Sequence, residues 1–178
     1  MRRRLDERGR ASTKRVAPGG AAVRYALEYL APGLAACGLI VALDQGSKAL
    51  ATSLVDRGDR VEALPFLHFE NVRNEGVAFG LGGDISVALI GVTIVLLLGL
   101  LVFLALRGGG GWSVWLPAAL LLGGALGNLT DRVRDGAVID FIDLPLWPTF
   151  NLADVAITLG VLLLLFDVER SEKGRKGT

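Results

Sequence analysis

The sequence has few of the residues on which disulfides, metal sites and histidine chemistry depend. Its 178 residues include one cysteine, Cys37, and one histidine, His68. A single cysteine excludes an internal disulfide and a paired-cysteine metal site. One histidine without an HExxH motif excludes the common zinc-hydrolase pattern, and neither a G-x-S-x-G motif nor a P-loop is present. The sequence therefore predicts no metal and no cofactor, and we interpret Cys37, which lies in an apolar run, as a small buried hydrophobe.

The chain also has no excess of charge of one sign. Nineteen basic and eighteen acidic residues give a net charge of +1, so no basic field indicates a nucleic-acid partner. Hydrophobic residues, in contrast, make up 52% of the chain, and the mean hydropathy is +0.50. Crossing a bilayer as a helix takes about 20 apolar residues, and four segments qualify: 30–54, 85–106, 112–129 and 152–168. We predict an α-helical integral membrane protein with four transmembrane helices.

The basic residues predict the orientation of this protein. Thirteen of the nineteen fall in residues 1–24, in the short connection 107–111 or after residue 168. Since cytoplasmic loops are enriched in Lys and Arg, both termini are predicted to be cytoplasmic and the loops 55–84 and 130–151 extracytoplasmic. We expect residues 1–25 to be a disordered basic extension, 26–170 to form the four-span domain and 171–178 to be a cytoplasmic tail.

Both outer loops contain patterns typical of short strands. Residues 61–72 mix apolar and charged side chains, and residues 137–143 read AVIDFID. Asn74-Glu75-Gly76 is a turn signal. We therefore predict a small extracytoplasmic β-type element beside the four helices.

Ionisable residues lie within or beside the predicted spans, where each costs about 2.5 to 3.5 kcal/mol on insertion scales and indicates a functional site. Asp44 and Lys48 share one helix face at a spacing of four, which favours an internal ion pair. At the end of the third span, Asn128 and Asp131 also share a face. Arg132 is suited to clamping a carboxylate, a phosphate or a carbonyl, and the alternative is a structural Asp131–Arg132 network.

Two further aspartates have contrasting surroundings. Asp140 lies among Val, Ile and Phe, and desolvation there would raise the pKa of its carboxyl, as suits a general acid. Asp154 follows Asn151 by three residues at the start of the fourth span, in capping-box position. The helix N-terminus favours an ionised carboxylate, as suits a general base, although capping alone also explains this spacing. Asp143 is predicted to be solvated.

Together these polar segments resemble the lipoprotein signal peptidase family, also called signal peptidase II. The resemblance runs in chain order over about residues 36–168, through five motifs: DQGSK at 44–48, NEGVAF at 74–79, GNLTDR at 127–132, VIDF at 138–141 and FNLAD at 150–154. The loop between Asp140 and Asp154 is short for the family, and the first 25 residues have no counterpart in it.

The resemblance implies a membrane-embedded aspartic endopeptidase of the bacterial cell membrane whose active site is toward the extracytoplasmic face. Its substrates would be prolipoproteins, cut before a diacylglyceryl-modified cysteine, in contact with membrane lipid and without an obligate protein partner. It also implies inhibition by globomycin. The implied catalytic pair is Asp140 and Asp154, with Asp131 as the second choice. The implied substrate-binding or supporting residues are Asp44, Lys48, Asn74, Gly76, Asn128, Asp131, Arg132 and Asn151.

Two other classes of function remain open on the sequence. A small ion- or proton-coupled transporter would use aspartates and Lys48 to relay charge. Against this alternative, the charges gather at one membrane face, and four spans without an inverted repeat are few for alternating access. A scaffold for another membrane complex is the third possibility. Cleavage of a lipidated peptide by the purified protein, without a partner or a gradient, would separate the enzyme from both.

Overall fold

A computed structural model describes residues 28, 30–76, 85–107 and 112–176. The elements follow in the order α1 (Ala31–Leu54), β1 (Arg60–Leu64), β2 (Leu67–Asn74), α2 (Ile85–Arg107), α3 (Trp112–Asp135), β3 (Val138–Asp143) and α4 (Leu152–Lys176). Four long helices and a small sheet are thus present, as predicted. Residues 1–25 and Phe79 of the NEGVAF motif lie outside the described residues.

The helices begin near their predicted positions, but two of them end later. α3 continues to Asp135, beyond residue 129, and α4 continues to Lys176, beyond residue 168. Hydropathy marks where apolar residues stop, whereas a helix continues in water when its side chains support it. Lys173 and Glu169, for example, form an exposed pair at i and i+4 in the last turns of α4. Much of the predicted tail 171–178 is therefore helical.

Among the described residues, α1 and α3 are long and apolar enough to cross a membrane, and α2 contributes a shorter apolar stretch, Val87–Leu100. Most large side chains of these helices face outward, as Leu43 and Leu96 illustrate. A soluble helix would bury them. Helix–helix contact depends instead on small residues, since a Cβ at Gly124 would lie 2.5 Å from the Ala153 carbonyl oxygen. α3 and α4 therefore pack with their backbones in contact.

The sheet is antiparallel, in the order β1-β2-β3, and the predicted β-type element is confirmed. Across β2 and β3, His68 faces Asp143 and Asn74 faces Val138. This register contradicts the prediction that Asp143 is solvated. Arg60 of β1 forms an ion pair with Asp143, and His68 Nδ1 lies 3.7 Å from Asp143 Oδ2. The partners come from other strands, so the local sequence gave no indication of them.

β3 connects the sheet to the helices. Gly136 has φ of 73°, a left-handed conformation that suits glycine and that turns the chain sharply after α3. Beyond β3, Phe150 returns to bind Ile142 through backbone hydrogen bonds of 2.9 and 3.0 Å. The chain then enters α4 directly. β3 is consequently fixed between the C-terminus of α3 and the N-terminus of α4.

Candidate active site

The N-terminus of α4 is closed by a capping box, as the sequence predicts. The Asn151 side-chain oxygen accepts a hydrogen bond from the Asp154 amide at 3.0 Å. Asp154 Oδ2 in turn accepts one from the Asn151 amide at 3.2 Å. This reciprocal arrangement satisfies two backbone donors that a helix start leaves unpaired. It also fixes the Asp154 carboxylate at the positive end of the helix dipole.

Asp140 is buried in β3 and is held by two asparagine side chains. Its Oδ1 accepts a hydrogen bond from Asn151 Nδ2 at 2.7 Å, and its Oδ2 accepts one from Asn74 Nδ2 at 2.9 Å. Burial raises the pKa of Asp140 to about 6, and the charge of Asp154 adds to the rise, while both asparagine hydrogen bonds oppose it. The elevated pKa agrees in direction with the prediction from the apolar neighbours.

Asn151 and Asn128 connect the two aspartates. Asn151 contacts both carboxylates, through its side chain to Asp140 and through its backbone to Asp154. Asn128 Nδ2 donates to Asp154 Oδ1 at 2.8 Å, while its Oδ1 accepts from Asn151 Nδ2 at 3.1 Å. The side chains of two asparagines thus set the positions of two carboxylates with contrasting environments.

A buried ionic cluster lies beneath this pair. Lys48 Nζ is 2.8 Å from Asp44 Oδ2, 2.7 Å from Asp131 Oδ2 and 3.0 Å from Asn128 Oδ1. The contacts with Asp44 and Asn128 are hydrogen bonds and the contact with Asp131 is an ion pair, so the buried ammonium has the partners that a buried charge requires. The predicted Asp44–Lys48 pair is confirmed, and so is the shared face of Asn128 and Asp131.

The Arg132 side chain points away from the buried ionic cluster. Asp131 pairs with Lys48, and no Asp131–Arg132 ion pair, the structural alternative left open by the sequence, is found among the described residues. Consecutive helical residues face about 100° apart, which directs the two side chains to different sides of α3. The Arg132 side chain instead lines a groove of about 500 Å³ between α2, α3 and α4. Asn128 and Asp154 also line this groove, whose other walls are mainly leucine and similar apolar side chains.

Asn74 and Gly76 form the predicted turn at the end of β2. Asn74 Oδ1 accepts a hydrogen bond from the Gly76 amide at 2.9 Å, and Gly76 has φ of 78°. Asn74 thereby keeps its Nδ2 group free to point at Asp140. The sequence predicted the turn but not this contact, because the two residues are 66 positions apart.

Two residues of the cluster were missed as site residues. Gln45 Nε2 donates to Asp131 Oδ1 at 2.8 Å and to the Gly127 carbonyl oxygen at 3.2 Å. Gly127 leaves room for Asp44, since a Cβ there would lie 2.5 Å from Asp44 Oδ2. Both belong to the polar motifs DQGSK and GNLTDR, and that membership is the only sequence signal for them. Among the described residues, no group of three His, Cys, Asp or Glu side chains is placed to hold a metal ion.

The fold and this cluster define a helical protein with two helices apolar enough to cross a membrane and with two carboxylates, one in β3 and one at the start of α4, joined through Asn151. A family model described as signal peptidase (SPase) II matches residues 36–170. The chain therefore belongs to the signal peptidase II family, and the resemblance found in its motifs is confirmed.

Curated relatives carry the same description. The chain is 38% identical to the lipoprotein signal peptidase of Moorella thermoacetica over 141 residues, which cover 78% of this chain and 94% of that protein. It is 39% identical to that of Acinetobacter baumannii over 150 residues, or 77% of this chain and 82% of the relative. The family match favours a peptidase over the transporter alternative.

Solved structures share the fold. One structure of a bacterial membrane enzyme, obtained by the in meso method, is similar with a TM-score of 0.74 at 31% identity and covers 79% of this chain and 95% of its own. A second, with the same description, has a TM-score of 0.76 at 30% identity over 85% of this chain and 96% of its own. The bundle and its sheet therefore have counterparts in experimentally determined membrane enzymes.

Proposed function

We propose that this protein is a membrane-embedded aspartic endopeptidase that removes the signal peptide from bacterial prolipoproteins, cleaving before the diacylglyceryl-modified cysteine. Membership of the signal peptidase II family supports the substrate class. One observation supports the aspartic chemistry above all. Asn151 binds the Asp140 and Asp154 carboxylates at once, so that two carboxylates of different environment are held at one place beside an open groove.

The two carboxylates divide the proton transfers of peptide hydrolysis. Asp154, at the N-terminus of α4, takes a proton from a water molecule as the water oxygen attacks the scissile carbonyl carbon. Asp140, whose pKa burial raises to about 6, donates a proton to the leaving amine nitrogen as the C–N bond breaks. The water supplies the oxygen and the hydroxyl proton of the new carboxyl group and the proton on Asp154. Passage of the Asp154 proton to Asp140, directly or through solvent, restores both groups for the next turnover.

The groove supports the choice of a lipid-bearing, extended substrate. Its apolar walls suit apolar chains in the bilayer, and Arg132 and Asn128 offer donors for the carbonyls of a peptide that has left its helix. Such donors matter because an unpaired backbone group in hydrocarbon costs several kcal/mol.

The test is cleavage by the purified protein in detergent. We expect a diacylglyceryl-modified prolipoprotein peptide to be cut before the modified cysteine without a partner, a gradient or added metal. The matched substrate is the same peptide with an unmodified cysteine, which should be cut much more slowly. Transport of ions without cleavage of either peptide would contradict the proposal and return attention to the transporter alternative.

The proposed topology has four spans with both termini cytoplasmic. Reporter fusions at Gly19, Gly110 and Gly174 should read cytoplasmic, because thirteen of the nineteen basic residues lie in those three regions. Fusions at Gly58 and Asp135 should read extracytoplasmic. A cytoplasmic signal from Gly58 would place the sheet and both aspartates on the cytoplasmic face and would contradict an active site toward the extracytoplasmic face.

Removing the Asn74 amide should move the pH profile in a defined direction. Its hydrogen bond to Asp140 stabilises the ionised carboxylate and so lowers the pKa of Asp140. In Asn74→Ala this pKa should rise, which leaves Asp140 protonated to higher pH. The alkaline limb of kcat/KM, expected near pH 6 in the wild-type enzyme, should then shift upward, as measured by initial rates across pH.

Gly58→Ala serves as the control for changes at a turn of the same sheet, since nothing lies within 4 Å of the added Cβ, although its φ of 86° makes the substitution strained. It should leave the position of the limb unchanged. If the alkaline limb of kcat/KM in Asn74→Ala stays in place or moves to lower pH, the Asn74 hydrogen bond does not lower the pKa of Asp140, and the prediction is wrong. Binding of globomycin should weaken in Asn74→Ala if Asn74 also contacts ligands.

A further inference from the structure

The Asp44 carboxylate contacts the backbone of α4 as well as its ion-pair partner. Asp44 Oδ2 binds Lys48 Nζ at 2.8 Å, and Asp44 Oδ1 accepts a hydrogen bond from the Ala153 amide at 2.9 Å. Ala153 is the residue before Asp154, and both Asp44 and Ala153 are completely buried. A side chain of the first helix therefore holds the first turn of the last helix, 109 residues further along the chain.

The contact adds to the capping of α4. A helix begins with backbone amides that have no partner inside the helix. Asn151 accepts the hydrogen bond of the Asp154 amide, and Asp44 accepts that of the Ala153 amide. An ion pair with Lys48 alone would not need this orientation, since either oxygen of Asp44 could meet the ammonium. A charged acceptor at a helix start makes a strong hydrogen bond.

Gly127 of α3 leaves the space that this contact needs. A Cβ at Gly127 would lie 2.5 Å from Asp44 Oδ2 and 3.5 Å from the Ala153 Cβ. A heavy atom at 2.5 Å would displace the carboxylate, and the atoms it would meet belong to a fully buried side chain held by Lys48. The close approach of Asp44 to α4 thus depends on the absence of a side chain at one position of a third helix.

We propose that Asp44 is a positioning residue, whose hydrogen bond to the Ala153 amide sets the location of the Asp154 carboxylate. Gly127 has no side chain and so leaves the space that this hydrogen bond needs. The proposal rests on the proposed function, in which Asp154 is the base. Lys48 holds Asp44 in the required orientation, and the Asn151 cap fixes the rest of the turn. Because misplacement of a catalytic group by about 1 Å can cost about 10²-fold in rate, the contact acts on kcat while the groove that binds substrate stays intact.

A matched pair of double variants isolates the accepting oxygen. Asp44→Asn/Lys48→Gln and Asp44→Ala/Lys48→Gln are both neutral at positions 44 and 48, but only the first keeps an oxygen for the Ala153 amide. We expect kcat of the Asn variant to exceed that of the Ala variant by about 10-fold or more, with similar KM, given the usual net value of a buried hydrogen bond. Amide hydrogen exchange at Ala153 should be faster by a similar factor in the Ala variant.

Gly127→Ala provides a second route that leaves every charge in place. It should lower kcat and accelerate exchange at the Ala153 amide, as the Ala double variant does. Gly46→Ala is its control, since it adds the same methyl group two residues from Asp44, where nothing lies within 4 Å. That control should keep wild-type kcat and wild-type exchange.

Equal kcat in the two double variants, or a Gly127→Ala enzyme with wild-type kcat, would overturn the proposal, as would unchanged exchange at Ala153 in the Ala variant. If a double variant does not fold, the result for Gly127→Ala alone decides whether the proposal stands. Failure of the proposed function has a different signature, in which Asp154→Asn cleaves at the wild-type rate while exchange at Ala153 still responds to position 44.

Discussion

Cleavage is expected to be lost when either Asp140 or Asp154 is replaced by asparagine. Each substitution removes one proton transfer and keeps the size of the side chain, although an asparagine can accept only one of the two hydrogen bonds that each carboxylate accepts. General acid and base steps contribute about 10²- to 10⁴-fold each, so turnover of a lipidated peptide should fall by at least about 10²-fold in each variant. The double variant should lose no more than the product of the two losses, because both groups serve one reaction and the effects of residues that act as a unit do not multiply.

Asp143→Asn is the matched control, because Asp143 is the last residue of the same strand but pairs with Arg60 outside the cluster. It should retain most of the wild-type rate. Thermal unfolding in detergent should show that all three variants remain folded. Near-normal turnover of Asp140→Asn or Asp154→Asn would exclude that residue from the pair, and Asp131→Asn would then be measured next. Chelators should not change the wild-type rate.

Replacement of Lys48 by methionine should produce the largest loss of stability. The ammonium lies between Asp44 and Asp131, and the two side chains of its Asp44 pair are only 2% and 0% exposed. Removing one partner of a buried ion pair leaves an uncompensated charge and costs about 3 to 5 kcal/mol. Here two carboxylates lose the same partner, so the thermal midpoint of Lys48→Met in detergent should fall strongly.

The chain contains a pair of similar geometry for comparison. Lys173 and Glu169 are also four residues apart on a helix, at 2.6 Å, but their side chains are 76% and 64% exposed. Exposed pairs contribute little, since water screens both charges, and Lys173→Met should leave the midpoint unchanged. A second variant, Lys48→Met/Asp44→Asn/Asp131→Asn, removes the stranded charges and should recover part of the loss. Equal midpoints for Lys48→Met and Lys173→Met would mean that the buried cluster does not stabilise the fold.

Local spacing explains which parts of the site the sequence predicted. The i, i+4 spacing of Asp44 and Lys48 and the capping box of Asn151 and Asp154 depend only on helix geometry. The apolar run around Asp140 likewise indicated burial of its carboxyl, because alternate residues of a strand face opposite sides. The start of the last helix was also well predicted, since Asn151 caps α4.

Contacts between distant segments were beyond sequence reasoning. Nothing in the neighbourhood of Asp131 indicates that its partner is Lys48 of another helix rather than the adjacent Arg132. The same holds for Asp143 and Arg60, and for Asp44 and Ala153, where the acceptor meets a backbone group that any residue would supply. These contacts depend on how closely helices and strands approach, which small residues such as Gly127 decide.

The ion pairs of Lys48 with Asp44 and Asp131 also bear on how the chain is assembled in the bilayer during synthesis. α1 carries Asp44 together with Lys48, so this level of the first helix enters the membrane with no net charge. α3 brings Asp131 without a counter-ion of its own in the cluster, and the ammonium that it contacts, which it shares with Asp44, is already in place on the earlier helix. The first helix thus acts as a template for the third. A chain that lacks α1 would leave Asp131 without its ammonium partner in hydrocarbon, and such a fragment should be retained by the insertion machinery or degraded.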